Sequence, residues 1–78
     1  MERIRDILGS LHPELKDEYV TSENYIEDAL IDSFDLIVLV AELEKAYNIS
    51  IKGIDILPEN FQNLASIENF LRTYGVEG

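Results

Sequence analysis

The residues that could carry chemistry lie together in the segment Asp32-Ser33-Phe34-Asp35, where acids stand on both sides of a serine. An almost unbroken apolar run, LIVLV, begins directly after it. A serine in this setting could act as a nucleophile, and the two acids could hold a cation. Alternatively, the serine could be a residue that a second enzyme modifies.

The residues that would activate Ser33 as a catalytic nucleophile are not found near it in the sequence. A nucleophilic serine needs a base within hydrogen-bond reach, and the only histidine, His12, stands beside Pro13, where a turn residue is the stronger interpretation. No lysine lies close to Ser33 in sequence, and no glycine-rich phosphate loop is present. The acids also lack the spacing of a calcium loop. We therefore expect neither an enzyme nor a metal site.

The position of Ser33 fits modification by another enzyme better. The first turn of a helix leaves backbone N–H groups without helical partners, and its dipole tolerates the negative charge of a phosphodiester. The two flanking acids would oppose that same phosphate. Their stronger role is to present a negative face to a basic modifying enzyme.

Size and composition restrict the remaining functions. The chain has 78 residues, and a domain of this size buries only about 60% of its unfolded surface, so a deep cleft is not expected. The absence of cysteine excludes disulfides, thiolate metal sites and a cysteine nucleophile. The net charge of −10, from 16 acids and 6 basic residues, argues against nucleic acid and favours basic partners.

The sequence also carries no sign of membrane insertion. No apolar run approaches the roughly 20 residues that cross a bilayer, and the first residues, MERIRDILGSL, are too charged for a signal peptide. We expect one soluble, monomeric, cytoplasmic domain over residues 1–78.

Hydrophobic spacing predicts an all-α bundle of three main helices and one short helix around a single core. The main helices are expected over residues 2–11, 32–47 and 64–74. In the second, Asp32 is the expected N-cap, and Asp35 is placed to complete a capping box. The short helix is expected in PENFQ, because proline is common in a first helical turn. The inner faces are expected to contain Ile4, Ile7, Leu8, Leu11, Leu36, Leu39, Val40, Leu43, Tyr47, Leu64, Ile67, Phe70, Leu71 and Tyr74, with Ile37 at the edge.

The connections between these helices are predicted from the residues that begin and end helices and from hydrophobic spacing. Asn48, Asn63 and Gly75 are expected at helix ends. Residues 12–31 follow no clean period, so we expect a long loop pinned by scattered apolar anchors. Those anchors are Leu15, Val20, Tyr25, Ile26, Leu30 and Ile31. The segment NISIKGIDIL alternates like a strand, but a lone strand is unstable, so an extended connection is preferred. Its buried residues would be Ile49, Ile51, Ile54 and Ile56.

The segment LIDSFDLIVLVAELEKAYNISI resembles the modification site of acyl carrier proteins, a family that includes peptidyl and D-alanyl carrier proteins. The family's signature is Asp-Ser followed by leucine or methionine, then an apolar helix carrying acids, then a short connection with isoleucines. The first helix, the long loop, LPENFQNLASIENFL and the chain length also follow the family layout. The resemblance thus covers essentially the whole chain and implies the four-helix bundle of that family.

The resemblance implies that Ser33 carries a covalent 4′-phosphopantetheine arm, transferred from coenzyme A by a phosphopantetheinyl transferase. The thiol of the arm would hold acyl or aminoacyl groups as thioesters. An AMP-forming ligase would load the arm, and a downstream acyltransferase or synthase would use the cargo. The second helix would be the recognition helix, and Leu36 and Leu39 would lie near the mouth of an acyl pocket. Residues for partner recognition would be Asp32, Phe34, Asp35, Val38, Glu42 and Glu44.

Three residues depart from the fatty-acid type within this family. Phe34 replaces the common leucine or methionine, Val38 stands where fatty-acid carriers usually have a glutamate, and Ile31 replaces a small residue. These departures favour a dedicated carrier in a specialised pathway, such as polyketide, nonribosomal peptide or D-alanyl transfer. The alternatives are a housekeeping fatty-acid carrier, an acidic interaction module that is never modified and, last, a hydrolase using Ser33. The carried group stays open.

Overall fold

The computed structural model of the chain describes residues 2–76, with side-chain surroundings for residues 3–76. Four α-helices, without any strand in this part of the chain, confirm the prediction of an all-α domain. They are α1 (Glu2–Leu11), α2 (Lys16–Thr21), α3 (Ser33–Tyr47) and α4 (Leu64–Thr73). Residues 1, 77 and 78 of the predicted domain lie outside the described residues.

The caps of the main helices explain where these helices begin and end. The Asn63 side chain accepts a hydrogen bond from the Ser66 N–H at 2.8 Å, as expected of the N-cap of α4. Asn48 ends α3 in the left-handed conformation, with φ of 53°. Gly75 has φ of +83°, a conformation that glycine adopts without strain, and it turns the chain away after α4.

The short helix lies in a different place from the one predicted. The residues PENFQ form only a single 3₁₀ turn, Pro58–Asn60, because the next residue, Phe61, leaves helical geometry and is completely buried. The fourth helix is instead α2, within the segment that was expected to be a loop. Its acids Asp17 and Glu18 lie in the first turn, where they favour the positive end of the helix dipole.

A tyrosine of α2 fixes the chain that leads to α3. Tyr19 is 1% exposed, and its hydroxyl donates to the carbonyl of Leu30 at 2.8 Å. The ring of Tyr25 packs edge-to-face on it, with ring centroids 5.4 Å apart, and the Tyr25 hydroxyl donates to the Tyr19 carbonyl. Burial raises the pKa of both tyrosines to about 12, so both hydroxyls stay protonated donors at neutral pH.

Some predicted anchors of this segment were wrong. Val20 and Ile26 are exposed by 47% and 40%, whereas the unpredicted Tyr19 is buried. α2 presents one face to the core, so Tyr19 takes the inner position and the adjacent Val20 turns outward. The predictions for Tyr25, Leu30 and Ile31 as buried residues are confirmed.

The core is formed by the four α-helices, the segment before α3 and the connection before α4. Ile51 is buried as predicted, but Ile54 is 80% exposed, which corrects its predicted place in the core. The reason is the 3₁₀ turn Gly53–Asp55, which winds the chain and breaks the alternation on which the prediction rested. The buried residues are Ile4, Ile7, Leu8, Tyr19, Tyr25, Leu30, Ile31, Leu39, Val40, Leu43, Ile51, Phe61, Ile67, Phe70, Leu71 and Val76.

None of the helices within residues 2–76 combines the length and the apolar character needed to cross a membrane.

Candidate functional site

Ser33 is the first residue of α3, and the predicted capping box before it is complete. The Asp32 carboxylate accepts a hydrogen bond from the Asp35 N–H at 2.8 Å, and the Asp35 carboxylate accepts one from the Asp32 N–H at 3.2 Å. These reciprocal bonds fix the backbone on both sides of Ser33. The serine itself is exposed. Its hydroxyl therefore lies on a rigid helix start that a second protein can approach.

His12 reinforces this helix start from the end of α1. Its Nε2 atom lies 3.1 and 3.0 Å from the two carboxylate oxygens of Asp35. The hydrogen bond to Asp35 is the main cause that raises the pKa of His12 above its ordinary value of 6.5. Sequence reasoning treated His12 as a turn residue and missed this contact, because its partner lies 23 positions away. The pair ties the segment before α2 to the first turn of α3.

Asp35 is held as an anion by these contacts. Partial burial alone would raise its pKa, but hydrogen bonds from His12 and Asp32 outweigh that effect, and the pKa of the carboxyl lies below its ordinary value of 3.8. The side chain is only 15% exposed. Asp35 thus serves the local structure and offers little surface to a partner.

The four predicted recognition acids divide into two pairs. Asp32 and Glu42 are exposed. Asp35 and Glu44 are partly buried and make structural bonds, since the Glu44 carboxylate accepts a hydrogen bond from the Ile51 N–H at 2.8 Å. We therefore expect Asp32 and Glu42 to contribute most to long-range attraction of a basic partner.

A groove of about 220 Å³ adjoins Ser33, and we call it the Ser33 groove. Apolar side chains make up most of its wall. Leu36 lies on this wall, whereas Leu39 is completely buried in the core, against which Leu36 also packs. The lining residues are Ile26, Ile31, Asp32, Ser33, Leu36 and Pro58.

The two residues that depart most from the fatty-acid pattern lie on the solvent side of α3. Phe34 is 72% exposed, and Val38 is partly exposed. Ile37, which was predicted at the edge of the inner face of α3, is 66% exposed. The surface beside Ser33 is therefore apolar as well as acidic.

The His12 ring contacts the carboxylates of Asp35 and Glu14. Residues 2–76 contain no group of three or more potential metal ligands. The arrangement is suited to presenting an exposed hydroxyl on a fixed backbone.

The pH dependence of stability tests the His12–Asp35 pair. A raised His12 pKa adds stability that is complete below its ordinary value of 6.5 and is lost as pH rises through the raised pKa. A lowered Asp35 pKa adds stability that is complete above 3.8 and is lost as pH falls through the lowered pKa. The pair therefore stabilises the fold most between these two ordinary values.

The unfolding free energy of the wild type should fall between about pH 6 and pH 8, as the His12 imidazolium loses its proton. We expect His12→Gln, which has no charge at this position, to show a smaller fall. Urea unfolding of both proteins at the two pH values measures this. Arg3→Gln serves as the control. It also removes a positive charge, but the Arg3 guanidinium donates to the carbonyl of Ala46 rather than to Asp35. Equal losses in wild type and His12→Gln would contradict the pairing.

Known proteins provide no match for this chain: comparisons with models of protein families, with curated proteins and with solved structures each found none.

Proposed function

We propose that this protein is an acyl carrier protein whose Ser33 accepts a 4′-phosphopantetheine arm. The observation that carries the proposal is the exposed serine at the first position of a helix with a complete capping box. Such a position combines access for a modifying enzyme with a backbone that does not have to be ordered on binding. The resemblance of LIDSFDLIVLVAELEKAYNISI to carrier proteins supplies the identity of the arm.

The proposed modification is a single phosphoryl-transfer step. The Ser33 Oγ would attack the phosphorus of coenzyme A that bears the pantetheine. A new O–P bond forms, the bond to the bridging pyrophosphate oxygen breaks, and adenosine 3′,5′-bisphosphate leaves. The proton of the hydroxyl passes to a base of the transferase. The carrier catalyses no step itself and supplies the acceptor atom.

The attached arm would give a chain without cysteine its reactive thiol. An AMP-forming ligase would load an acyl or aminoacyl group onto that thiol as a thioester, and an acyltransferase or synthase would remove it. The Ser33 groove is one surface along which the arm could lie between these encounters. The exposed Phe34 and the partly exposed Val38 favour partners of a specialised pathway over those of fatty-acid synthesis.

Incubation of the protein with coenzyme A, magnesium and a panel of broad-specificity phosphopantetheinyl transferases tests the proposal. We expect the intact mass to increase by one phosphopantetheinyl group, and fragmentation to place the group on Ser33. No increase, with transferases that modify another carrier in parallel, would reject the proposal. An unmodified acidic interaction module would then be the better interpretation.

Charge neutralisation tests the role of the exposed acids in this reaction. Asp32→Asn keeps an N-cap residue while removing its charge, and Glu42→Gln keeps the shape of an exposed side chain. We expect the double variant to raise the KM of the transferase about threefold to tenfold at low salt, and much less at about 0.5 M NaCl, where charges are screened.

Glu44→Gln is the matched comparison. It also removes one negative charge, but from a partly buried side chain whose carboxylate accepts a hydrogen bond from the Ile51 N–H. We expect a smaller effect of this variant on KM. Reaction rates that respond neither to the double variant nor to salt would contradict electrostatic attraction of the transferase.

A further inference from the structure

His12 lies where the end of α1, the 3₁₀ turn Pro13–Leu15 and the start of α3 meet. Its carbonyl accepts a hydrogen bond from the Leu15 N–H at 2.9 Å, which fixes its backbone to the turn. Its ring reaches across to α3, and 38% of the side chain is exposed, so water has access to the ring. His12 therefore combines a fixed backbone with a ring that can gain and lose a proton.

One carboxylate oxygen of Asp35 connects this ring to the residue before Ser33. Asp35 Oδ2 lies 3.0 Å from His12 Nε2 and also accepts the hydrogen bond of the Asp32 N–H at 3.2 Å. The Asp32 carboxylate in turn accepts the Asp35 N–H at 2.8 Å. Ser33 stands between these two residues in the chain. The His12 ring thus holds a carboxylate that itself holds the backbone beside the serine.

The charge of His12 matters because Asp35 is only 15% exposed. Partial burial disfavours the anionic form of a carboxyl group, and the imidazolium offsets that penalty with its charge and its N–H. Without the positive charge, the Asp35 carboxylate gains more by turning toward water. Such a turn takes the acceptor away from the Asp32 N–H. Loss of the charge therefore loosens the start of α3 next to Ser33.

We infer that His12 is a positioning residue for the modification of Ser33, and that its imidazolium acts through Asp35 on the backbone that carries the acceptor hydroxyl. This inference rests on the proposed function. A transferase that binds an ordered helix start avoids the free-energy cost of ordering it. Since the ordering is completed on binding, loss of the His12 charge raises the KM for the carrier and leaves kcat nearly unchanged.

Three acids from three segments act on the His12 ring. They are Asp35 of α3, Glu14 of the 3₁₀ turn and Asp32 before α3, and each favours the imidazolium. Partial burial of the ring lowers the pKa of His12, but the hydrogen bond to Asp35 has the larger, opposite effect. Tyr19 of α2 lies in the field of the same acids and stays neutral, because its pKa is raised to about 12. Titration of His12 therefore removes the positive charge of this cluster.

The steady-state kinetics of a phosphopantetheinyl transferase that modifies the wild type test this inference. Each variant is compared with the wild type at the same pH, because the transferase itself titrates. We expect His12→Gln to raise the KM for the carrier about threefold at about pH 6, with kcat within about twofold of wild type. The difference in KM should shrink at about pH 8, where the wild-type ring has lost more of its charge.

His12→Lys and Arg3→Gln separate the charge of His12 from other effects. We expect His12→Lys, which keeps a positive charge, to have a KM close to wild type at about pH 6 and below wild type at about pH 8. Arg3→Gln changes the net charge as His12→Gln does, but its guanidinium contacts the carbonyl of Ala46 at the other end of α3. Its KM relative to wild type should be the same at both pH values.

Nuclear magnetic resonance of the unmodified protein tests the link between the ring and the backbone. His12 is the single histidine of the chain, so its ring signal is identified directly. We expect the amide signals of Asp32 and Asp35 to shift with pH at the same midpoint as the His12 ring. The same signals should stay constant over this range in His12→Gln.

The outcomes of these experiments distinguish the inference from the proposed function. Equal KM values for wild type and His12→Gln at about pH 6 would overturn the positioning role while leaving Ser33 as the proposed acceptor. A raised KM that His12→Lys fails to restore, or amide signals that ignore the titration of the ring, would overturn it as well. A wild-type protein that gains no mass would overturn both the inference and the proposed function.

Discussion

Ser33→Ala is expected to abolish the addition of phosphopantetheine while leaving the fold intact. The substitution removes the proposed acceptor oxygen, so no phosphodiester can form at this position. Ser33 is exposed, and the cap of α3 is supplied by Asp32 and Asp35 rather than by the serine. We therefore expect a change in unfolding free energy within about 0.5 kcal/mol, as for other surface substitutions. Intact-mass measurement and urea unfolding provide the two readouts.

Ser50→Ala is the matched control for this loss. Ser50 is also an exposed serine, but it lies in the connection after α3 rather than at a helix start. The control should gain the same mass as the wild type at a similar rate. Continued modification of Ser33→Ala would show that the arm is attached elsewhere and would contradict the assignment of the site.

Leu43→Ala and Ile67→Ala are expected to have the largest effects on stability. Both side chains are completely buried, one in α3 and one in α4. Truncation of a buried leucine or isoleucine removes apolar contacts and leaves a cavity, at a cost of about 2 to 5 kcal/mol. A small domain is typically stable by only about 5 to 15 kcal/mol. Each variant should therefore unfold at a clearly lower urea concentration and temperature.

Ile54→Ala makes the same truncation at a side chain that is 80% exposed. We expect it to change the free energy of unfolding by no more than about 0.5 kcal/mol. Wild-type unfolding curves for both Leu43→Ala and Ile67→Ala would show that the inner faces of α3 and α4 are wrongly assigned.

The features that the sequence predicted well are those that depend on neighbouring residues. Asp32 and Asn63 each bond a backbone N–H three positions ahead, so their capping role is visible in the sequence alone. The bounds of α3 and α4 follow closely from such caps and from helical spacing, and those of α1 follow from spacing and from Pro13 after its end. Exposure of Ser33 was also expected from its place in the first turn of the helix, and the residue is exposed.

The features that the sequence did not predict depend on contacts between distant residues. α2 is only six residues long, and isolated helices of that length are unstable, so its formation depends on packing of Tyr19 and its bond to Leu30. The His12–Asp35 pair likewise joins two elements that no local pattern connects. For the candidate site, this pair explains why Asp35 is withdrawn from the recognition surface that the sequence suggested.

The most direct test of the carrier assignment counts thiols. The chain contains no cysteine, so any thiol that the protein gains must come from an attached group. After reaction with coenzyme A and transferase, followed by removal of small molecules, thiol titration of the denatured protein should find one thiol per chain, and none in Ser33→Ala. No thiol in the wild type, with a transferase that modifies another carrier in parallel, would contradict the proposal that this protein is a carrier.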